Sequence, residues 1–267
     1  MPDIDFGRAA ADYARHRAGF PPELFHRLHA FGVGLPGQRL LDIGSGTGTL
    51  ARGFAARGCQ VTALDRSAEL LAAARILAEE ERVRLEPVQA VAEALPVASS
   101  SFDVVSAGQC WHWFDRARAA AEAFRVLKSG GRLVIAHFDW LPLPGNMVQA
   151  TEDLIIQYNP AWAELEVLKL SRNTGIYGVW LTDVALAGFT DIETFSFDVD
   201  VPYTHEAWRG RIRASAGVAA AGLSPETIAA FDADLARLLR DRYPSEPLRV
   251  PHRVFALICT KKDKLIY

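Results

Sequence analysis

The sequence predicts a doubly wound α/β fold, a seven-stranded sheet with its last strand antiparallel, preceded by N-terminal helices and interrupted by a helical cap insertion. Three observations carry that expectation. From residue 39 onward, short apolar runs alternate with helical segments, the signature of a parallel sheet covered on both faces. A turn with glycine at 44, 46 and 48 joins the first of these runs to a helix. Two late apolar runs separated by helices would close the sheet as an antiparallel edge pair.

Taken in order, an N-terminal helical region spans residues 5–31 and breaks at Pro21-Pro22. Its second half places Leu24, Phe25, Leu28 and Phe31 on one face, to be packed on the main body. Strands are expected at 39–43, 60–64, 84–88, 102–107 and 132–137, short apolar runs of the kind buried on both sides. Helices are expected at 49–57, at 67–80 with Ser67 as N-cap, and at 115–127 with Gly130-Gly131 as the stop. After His137 the rhythm changes. Residues 139–178 carry Trp140, Tyr158, Trp162 and Tyr177 without a clear strand and read as a helical insertion. A helix over 180–187 stops at Gly188, and residues 195–201 alternate apolar with polar, as a half-buried strand does. Residues 204–243 are helical again, with Ser224 as N-cap and Pro225 at the first helical position. Residues 254–259 form the last strand. The implied organisation is a helical lid (1–34), a cofactor-binding core (35–138), a cap (139–178) and a closing segment (179–267) that holds a second helical insertion at 204–243.

Bulk properties narrow the function classes. At 267 residues, half of them hydrophobic, the chain can bury a large core, and no run reaches the roughly 18 apolar residues of a membrane span. No membrane association is expected, and the first residues lack the basic and apolar parts of a secretion signal. A formal charge of −3 gives no electrostatic reason to expect nucleic acid. Cys59, Cys110 and Cys259 are odd in number with no C-x-x-C spacing, which reads as free thiols in a cytoplasmic protein, monomer or homodimer. No metal is expected. His26 and His29 are three apart on a helix, and solvation explains them.

The chemistry begins at Leu40-Leu41-Asp42-Ile43-Gly44-Ser45-Gly46-Thr47-Gly48. Glycine lets the chain turn sharply and leaves no Cβ where a ligand touches the main chain. The helix that follows points unpaired N–H groups at that place. A dinucleotide fingerprint needs a sixth-position glycine, but position 49 is Thr, and the charge of Asp42 is awkward beside a pyrophosphate. Asp42 can instead accept hydrogen bonds from an ammonium group or from the loop's own N–H groups. The second strand ends in Asp65, followed by Arg66, where ligands bind beyond the carboxyl ends of the strands. An acid there can accept bonds from both ribose hydroxyls. Its alternative is a helix cap, a role Ser67 already fills.

Asp42 with Gly44, Ser45, Gly46, Thr47 and Gly48 resembles motif I of the class I S-adenosylmethionine (SAM)-dependent methyltransferases, whose fold is Rossmann-like and whose loop holds the methionine end of SAM. The segment Ala92-Glu93-Ala94-Leu95-Pro96 resembles that family's turn along the adenine ring. Valine stands at 91, where the family often carries an acid. Either a backbone carbonyl near Ala92 meets the adenine amino group, or the equivalent position lies one or two residues away. Gln109-Cys110-Trp111-His112-Trp113-Phe114-Asp115 resembles the Q-x-x-H-W-F-D string of a branch that includes trans-aconitate methyltransferase-like (type 11) proteins. The resemblance places Gln109 near the sulfonium.

An imidazole at His112 can take a proton from an oxygen or nitrogen nucleophile, or it only braces the helix at Asp115. Phe6, Tyr13 and Arg17 resemble the entry helix of the same branch, where the Tyr and Arg lie over the methionine carboxylate; a surface tyrosine and a solvated arginine are the alternative. For the acceptor side the candidates are Trp111, Trp140, Trp208 and Arg211, the last two on one helix face, against plain packing and surface charge. The resemblance implies methyl transfer from SAM to an O, N or C atom of a small molecule, leaving S-adenosylhomocysteine. The alternative is a SAM-binding protein of this fold that does not methylate.

Overall fold

The computed structural model describes residues 19–164, 174–215, 217–218 and 222–262. Its elements, in order, are α1 (Pro22–Ala30), β1 (Arg39–Ile43), α2 (Thr49–Ala55), β2 (Gln60–Asp65), α3 (Ala68–Glu80), β3 (Leu85–Gln89) and β4 (Phe102–Gly108). Then follow a 3-10 turn (Trp111–Trp113), α4 (Arg116–Val126), β5 (Leu127–Trp140), α5 (Met147–Tyr158), a second 3-10 turn (Pro160–Glu164) and α6 (Val179–Leu186). The last elements are β6 (Thr190–Tyr203), α7 (His205–Arg213), α8 (Pro225–Arg242) and β7 (Leu248–Thr260).

The sheet has seven strands in the order β3-β2-β1-β4-β5-β7-β6. β1 pairs in parallel with β2 on one side and β4 on the other, so Asp42 has Ala63 and Ser106 as its register partners. The connection direction reverses there, which puts the carboxyl end of β1 at the switch point where ligands bind in such sheets. β5 and β7 run in opposite senses. Gly130 N–H donates to Lys261 O (2.8 Å) while Leu141 N–H donates to Pro251 O (2.8 Å), one number rising as the other falls.

The described residues form two compact units. The core unit holds 19–138, 177–197 and the chain from 254; its interior packs Leu41, Ile43, Leu64, Val105, Leu133 and Leu257 with Trp111 and Trp180. The second unit holds 139–164, 174–176 and 198–253, and its interior packs Val148, Ile155, Trp208, Phe231, Leu235 and Val250. Among the described residues no helix is long and apolar enough to cross a membrane.

Several boundaries differ from the sequence expectation. α4 ends at Val126 because Leu127 already has extended backbone (φ −68°, ψ 141°), and β5 takes in the Gly130-Gly131 pair expected to lie outside it. Asp115 is the N-cap of α4, accepting from Arg118 N–H, and not its first turn. β5, β6 and β7 are 14, 14 and 13 residues long, well beyond the apolar runs that mark them. The added stretches are mostly polar or part-exposed, as in the alternating pattern of β6, though β7 also gains the buried Leu248 and Val250; a neighbouring strand takes their N–H and C=O groups.

Candidate cofactor and active site

The turn between β1 and α2 carries three glycines with positive φ: +64° at Gly44, +54° at Gly46 and +78° at Gly48. A Cβ at Gly44 would fall 2.8 Å from Phe114 and 2.9 Å from Cys110, so this glycine is fixed by protein packing. At Gly46 nothing lies within 4 Å of a Cβ. Beside it the Ser45 hydroxyl is buried without a hydrogen-bond partner. An open main-chain position flanked by an unspent buried hydroxyl fits a polar ligand laid against the loop.

Two carboxylates stand at the two strand ends and do different work. Asp42 is 1% exposed and accepts from the Ser106 hydroxyl (2.6 Å) and from Ala51 N–H at the start of α2. Burial pushes its carboxyl up to about 7, against the pull of these two donors and with a further push from the nearby Asp65 charge. Its partners are therefore a strand hydroxyl and the helix, while the loop's Gly46 N–H goes to Asp65. Asp65 is also buried, accepting from Gly46 N–H (2.7 Å) on one oxygen and from Ser67 N–H (2.9 Å) on the other. Each carboxylate oxygen has a second lone pair to offer, so ribose hydroxyls and the loop can be held together. Ser67 does cap α3, accepting from Leu70 N–H (3.2 Å), and Arg66 is exposed next to it.

Past β3 the chain turns through Ala92, which is buried, and Glu93, whose carboxylate accepts Asp115 N–H (2.9 Å). Glu93 thus ties the Ala92–Pro96 turn to the start of α4. Val91 is 46% exposed, and Ala90 N–H donates to Asp65 O, so the turn is anchored to the end of β2.

At the end of β4, Gln109 has a left-handed backbone (φ +59°), an uncommon state for a residue other than glycine. It is held there from both ends: its N–H donates to Ala136 O (2.9 Å) and its side-chain amide to Phe138 O. Such held strain is a mark of functional positions. The 3-10 turn that follows sets His112 partly buried, its ring 4.5 Å from Trp113 and 5.2 Å from His137 between centroids. The Tyr177 hydroxyl lies 3.2 Å from Nδ1 of the buried His137, and Tyr177 stacks on Trp180 at 4.0 Å. The sequence marked His137 only as a strand end and Tyr177 only as one aromatic of the 139–178 insertion; their pairing carries no local signal.

The acceptor candidates separate. Trp111 is fully buried in the core unit with its indole N–H on Asp183 (3.1 Å), a packing position. Trp140, Trp208 and Arg211 come together in the second unit. The Trp140 and Trp208 rings meet edge-on at 5.4 Å, and the Arg211 guanidinium lies 4.5 Å over Trp140. Phe6, Tyr13 and Arg17 lie outside the described residues. His26 and His29 are exposed, and Cys59, Cys110 and Cys259 are buried and in no disulfide.

A parallel switch-point sheet, a glycine loop open at one residue and an acid at the next strand end form the layout of a nucleoside-cofactor fold of the methyltransferase type. The comparisons agree. Residues 41–135 match the family model described as "Methyltransferase domain". The "Ubiquinone/menaquinone biosynthesis C-methyltransferase UbiE" of Dinoroseobacter shibae is 33% identical over 188 residues, 64% of this chain and 74% of that protein. The "Uncharacterized methyltransferase Rv3342" of Mycobacterium tuberculosis is 38% identical over 130 residues, 49% of this chain and 50% of that protein. In fold, the chain is similar to the Haemonchus contortus phosphoethanolamine N-methyltransferase 2 solved with phosphomonomethylethanolamine and S-adenosylhomocysteine. That match has a TM-score of 0.55 at 21% identity, covering 96% of this chain and 58% of the other. The chain spans about half the length of several curated relatives it matches. It belongs to the class I SAM-dependent methyltransferases, and its cofactor is S-adenosylmethionine.

Proposed function

We propose that the chain moves the methyl group of SAM to an oxygen, nitrogen or carbon atom of a small organic molecule, in the cytoplasm. The observation that carries the reading is Gly46, open on the side of a loop whose N–H is tied to Asp65. The Gly44–Gly48 turn, braced from below by the buried Asp42, then holds the methionine end, and Asp65, with Arg66 beside it, the ribose. Ala92 and Glu93 line the adenine and Gln109 sits near the sulfonium; the family resemblance assigns the carboxylate to Tyr13 and Arg17, which lie outside the described residues. Bound SAM supplies an electrophilic methyl group on a sulfonium, a leaving group that needs only in-line positioning.

His112 is the group that takes a proton where the acceptor is a hydroxyl or amine. Its ring stands 5.2 Å from that of His137, which pairs with the Tyr177 hydroxyl. A formal charge of −3 supports a small-molecule acceptor over nucleic acid. Incubation with methyl-labelled SAM and a metabolite extract of the host tests the reading. Label in a small organic product is the expected result. SAM binding with no label in any fraction refutes it.

A further inference from the structure

Helix α7 carries three arginines, and the structure treats them differently. Arg209 and Arg213, four apart, share one face and converge on Asp232, with Arg213 Nη1 at 2.8 Å from its carboxylate. Both also reach Glu206, each at 3.0 Å. Their charges are spent. Arg211 sits on the face that carries the buried Trp208, where the helix meets the interior of its unit.

There Arg211 makes no hydrogen bond and no ion pair with any described residue. Its contact is the face of Trp140, 4.5 Å from the guanidinium. That face is itself fixed, because the Trp140 indole N–H donates to Glu152 (2.7 Å), a buried carboxylate that also accepts from Trp162 (2.9 Å). Asp139 and Tyr203 act on Arg211 through space only. His252, close by, is buried and held neutral, pushed down to about 4 by burial and then by the Arg211 charge itself. Among the described residues nothing meets the five N–H donors of the guanidinium.

A deeply set guanidinium loses its hydration and recovers it only through acceptor oxygens. Burial already pulls its pKa down, the sign of a charge short of partners. A cation–π contact on tryptophan offsets part of that loss but satisfies no N–H donor. Part of the Arg211 side chain still reaches solvent, so a small ligand can approach. The rigid fork of arginine fits a carboxylate or phosphate through two parallel bonds.

We propose that Arg211, laid against Trp140, is an anion-binding site that receives a carboxylate or phosphate group of the small-molecule acceptor. Naming the acceptor as the bearer of that anion rests on the methyltransferase reading; the anion site itself does not. The bound group satisfies the guanidinium, and an apolar part of the same molecule can lie along the indole.

The test uses benzoate, phenyl phosphate and uncharged benzamide as probes, with binding read by calorimetry and by tryptophan fluorescence. The full chain is compared with R211Q and with R209Q, whose arginine is already paired. Wild type and R209Q are expected to bind one of the two anions at least about 10-fold more tightly than benzamide. R211Q is expected to lose about 10- to 100-fold, the range for a charged hydrogen-bonded partner. Preference between benzoate and phenyl phosphate identifies the anion. Equal binding of benzamide and the anions by wild type overturns the proposal, and needs no variant to fold. So does undiminished anion binding by R211Q. A parallel SAM titration separates the two readings: loss of SAM binding by the wild-type chain defeats the methyltransferase proposal, while the anion arms still decide the role of Arg211.

Discussion

Gly44 and Gly46 have nearly the same backbone handedness, φ +64° and +54°, and opposite surroundings, which makes them a matched pair for locating the cofactor. Alanine at either position pays for a left-handed conformation, about 1–2 kcal/mol. At Gly44 the new Cβ also falls 2.8–2.9 Å from Phe114 and Cys110, closer than carbon atoms pack. Displacing them adds the usual overpacking penalty of about 1–3 kcal/mol. At Gly46 there is no such addition, since no protein atom lies within 4 Å. Gly46→Ala should therefore cost only the conformational term, a melting temperature lower by a few degrees at about 2–4 °C per kcal/mol. The methyl group instead meets whatever lies on the loop. If that is SAM, overpacking of about 1–3 kcal/mol weakens its binding by roughly 5- to 150-fold. Thermal melts and calorimetric titration with SAM on both variants read the two terms separately. Gly44→Ala should lose more stability than Gly46→Ala. A Gly46→Ala protein that binds SAM as tightly as wild type would refute the placement of the ligand against this residue.

Asp65→Ala should weaken SAM by about 1–3 kcal/mol through unpaired ribose hydroxyls, and also lower the melting temperature, since Gly46 and Ser67 lose an acceptor; unchanged SAM affinity removes Asp65 from the ribose. His112→Ala should leave SAM affinity intact and slow turnover by about 10²- to 10⁴-fold, the span of general base catalysis; full retained rate makes His112 a brace. Tyr177→Phe removes the hydroxyl bonded to His137, at a stability cost of about 1 kcal/mol, and should move the pH–rate profile if the His112–His137 contact matters; an unmoved profile separates the pair from turnover. His252 takes up its proton at pH 6.5 when unfolded and near pH 4 when folded. Its contribution to stability is therefore complete above pH 6.5 and lost as the pH falls to about 4. At about 1.4 kcal/mol per pKa unit it amounts to about 3 kcal/mol. His252→Gln should flatten the acid loss of melting temperature across that window; an equally steep loss assigns it to other groups.

Much of the fold was written locally. The turn between β1 and α2 is legible because glycine at 44 and 48 meets requirements set within a few residues: a sharp reversal and a left-handed helix entry at Gly48. Ser67 and Ser224 cap α3 and α8 as their spacing implies, each accepting from the N–H three residues on. The position of Asp65 follows from the strand it ends, so the place of the glycine loop and the acid beside it could be read from 39–65 alone. The lengths of β5, β6 and β7 could not, because their outer residues gain strand geometry from partners far away in sequence. Arg249 and Arg253 in the outer part of β7, for example, meet Asp200 and Asp198, 49 and 55 residues away.

The same division runs through the site. Sequence determined which backbone turns and which acid stands at each strand end, since these depend on neighbours along the chain. Only the tertiary structure decided what each side chain faces. It spent the carboxylate of Asp42 on Ser106 and Ala51, paired Tyr177 with His137 across 40 residues, and buried Trp111 against Asp183. It also neutralised two arginines of α7 while leaving the third on Trp140. Helical spacing put Trp208 and Arg211 on one face; it could not say that Asp232 would serve the other. Charge pairing and burial are set by atoms that the fold brings together, and no local pattern encodes them.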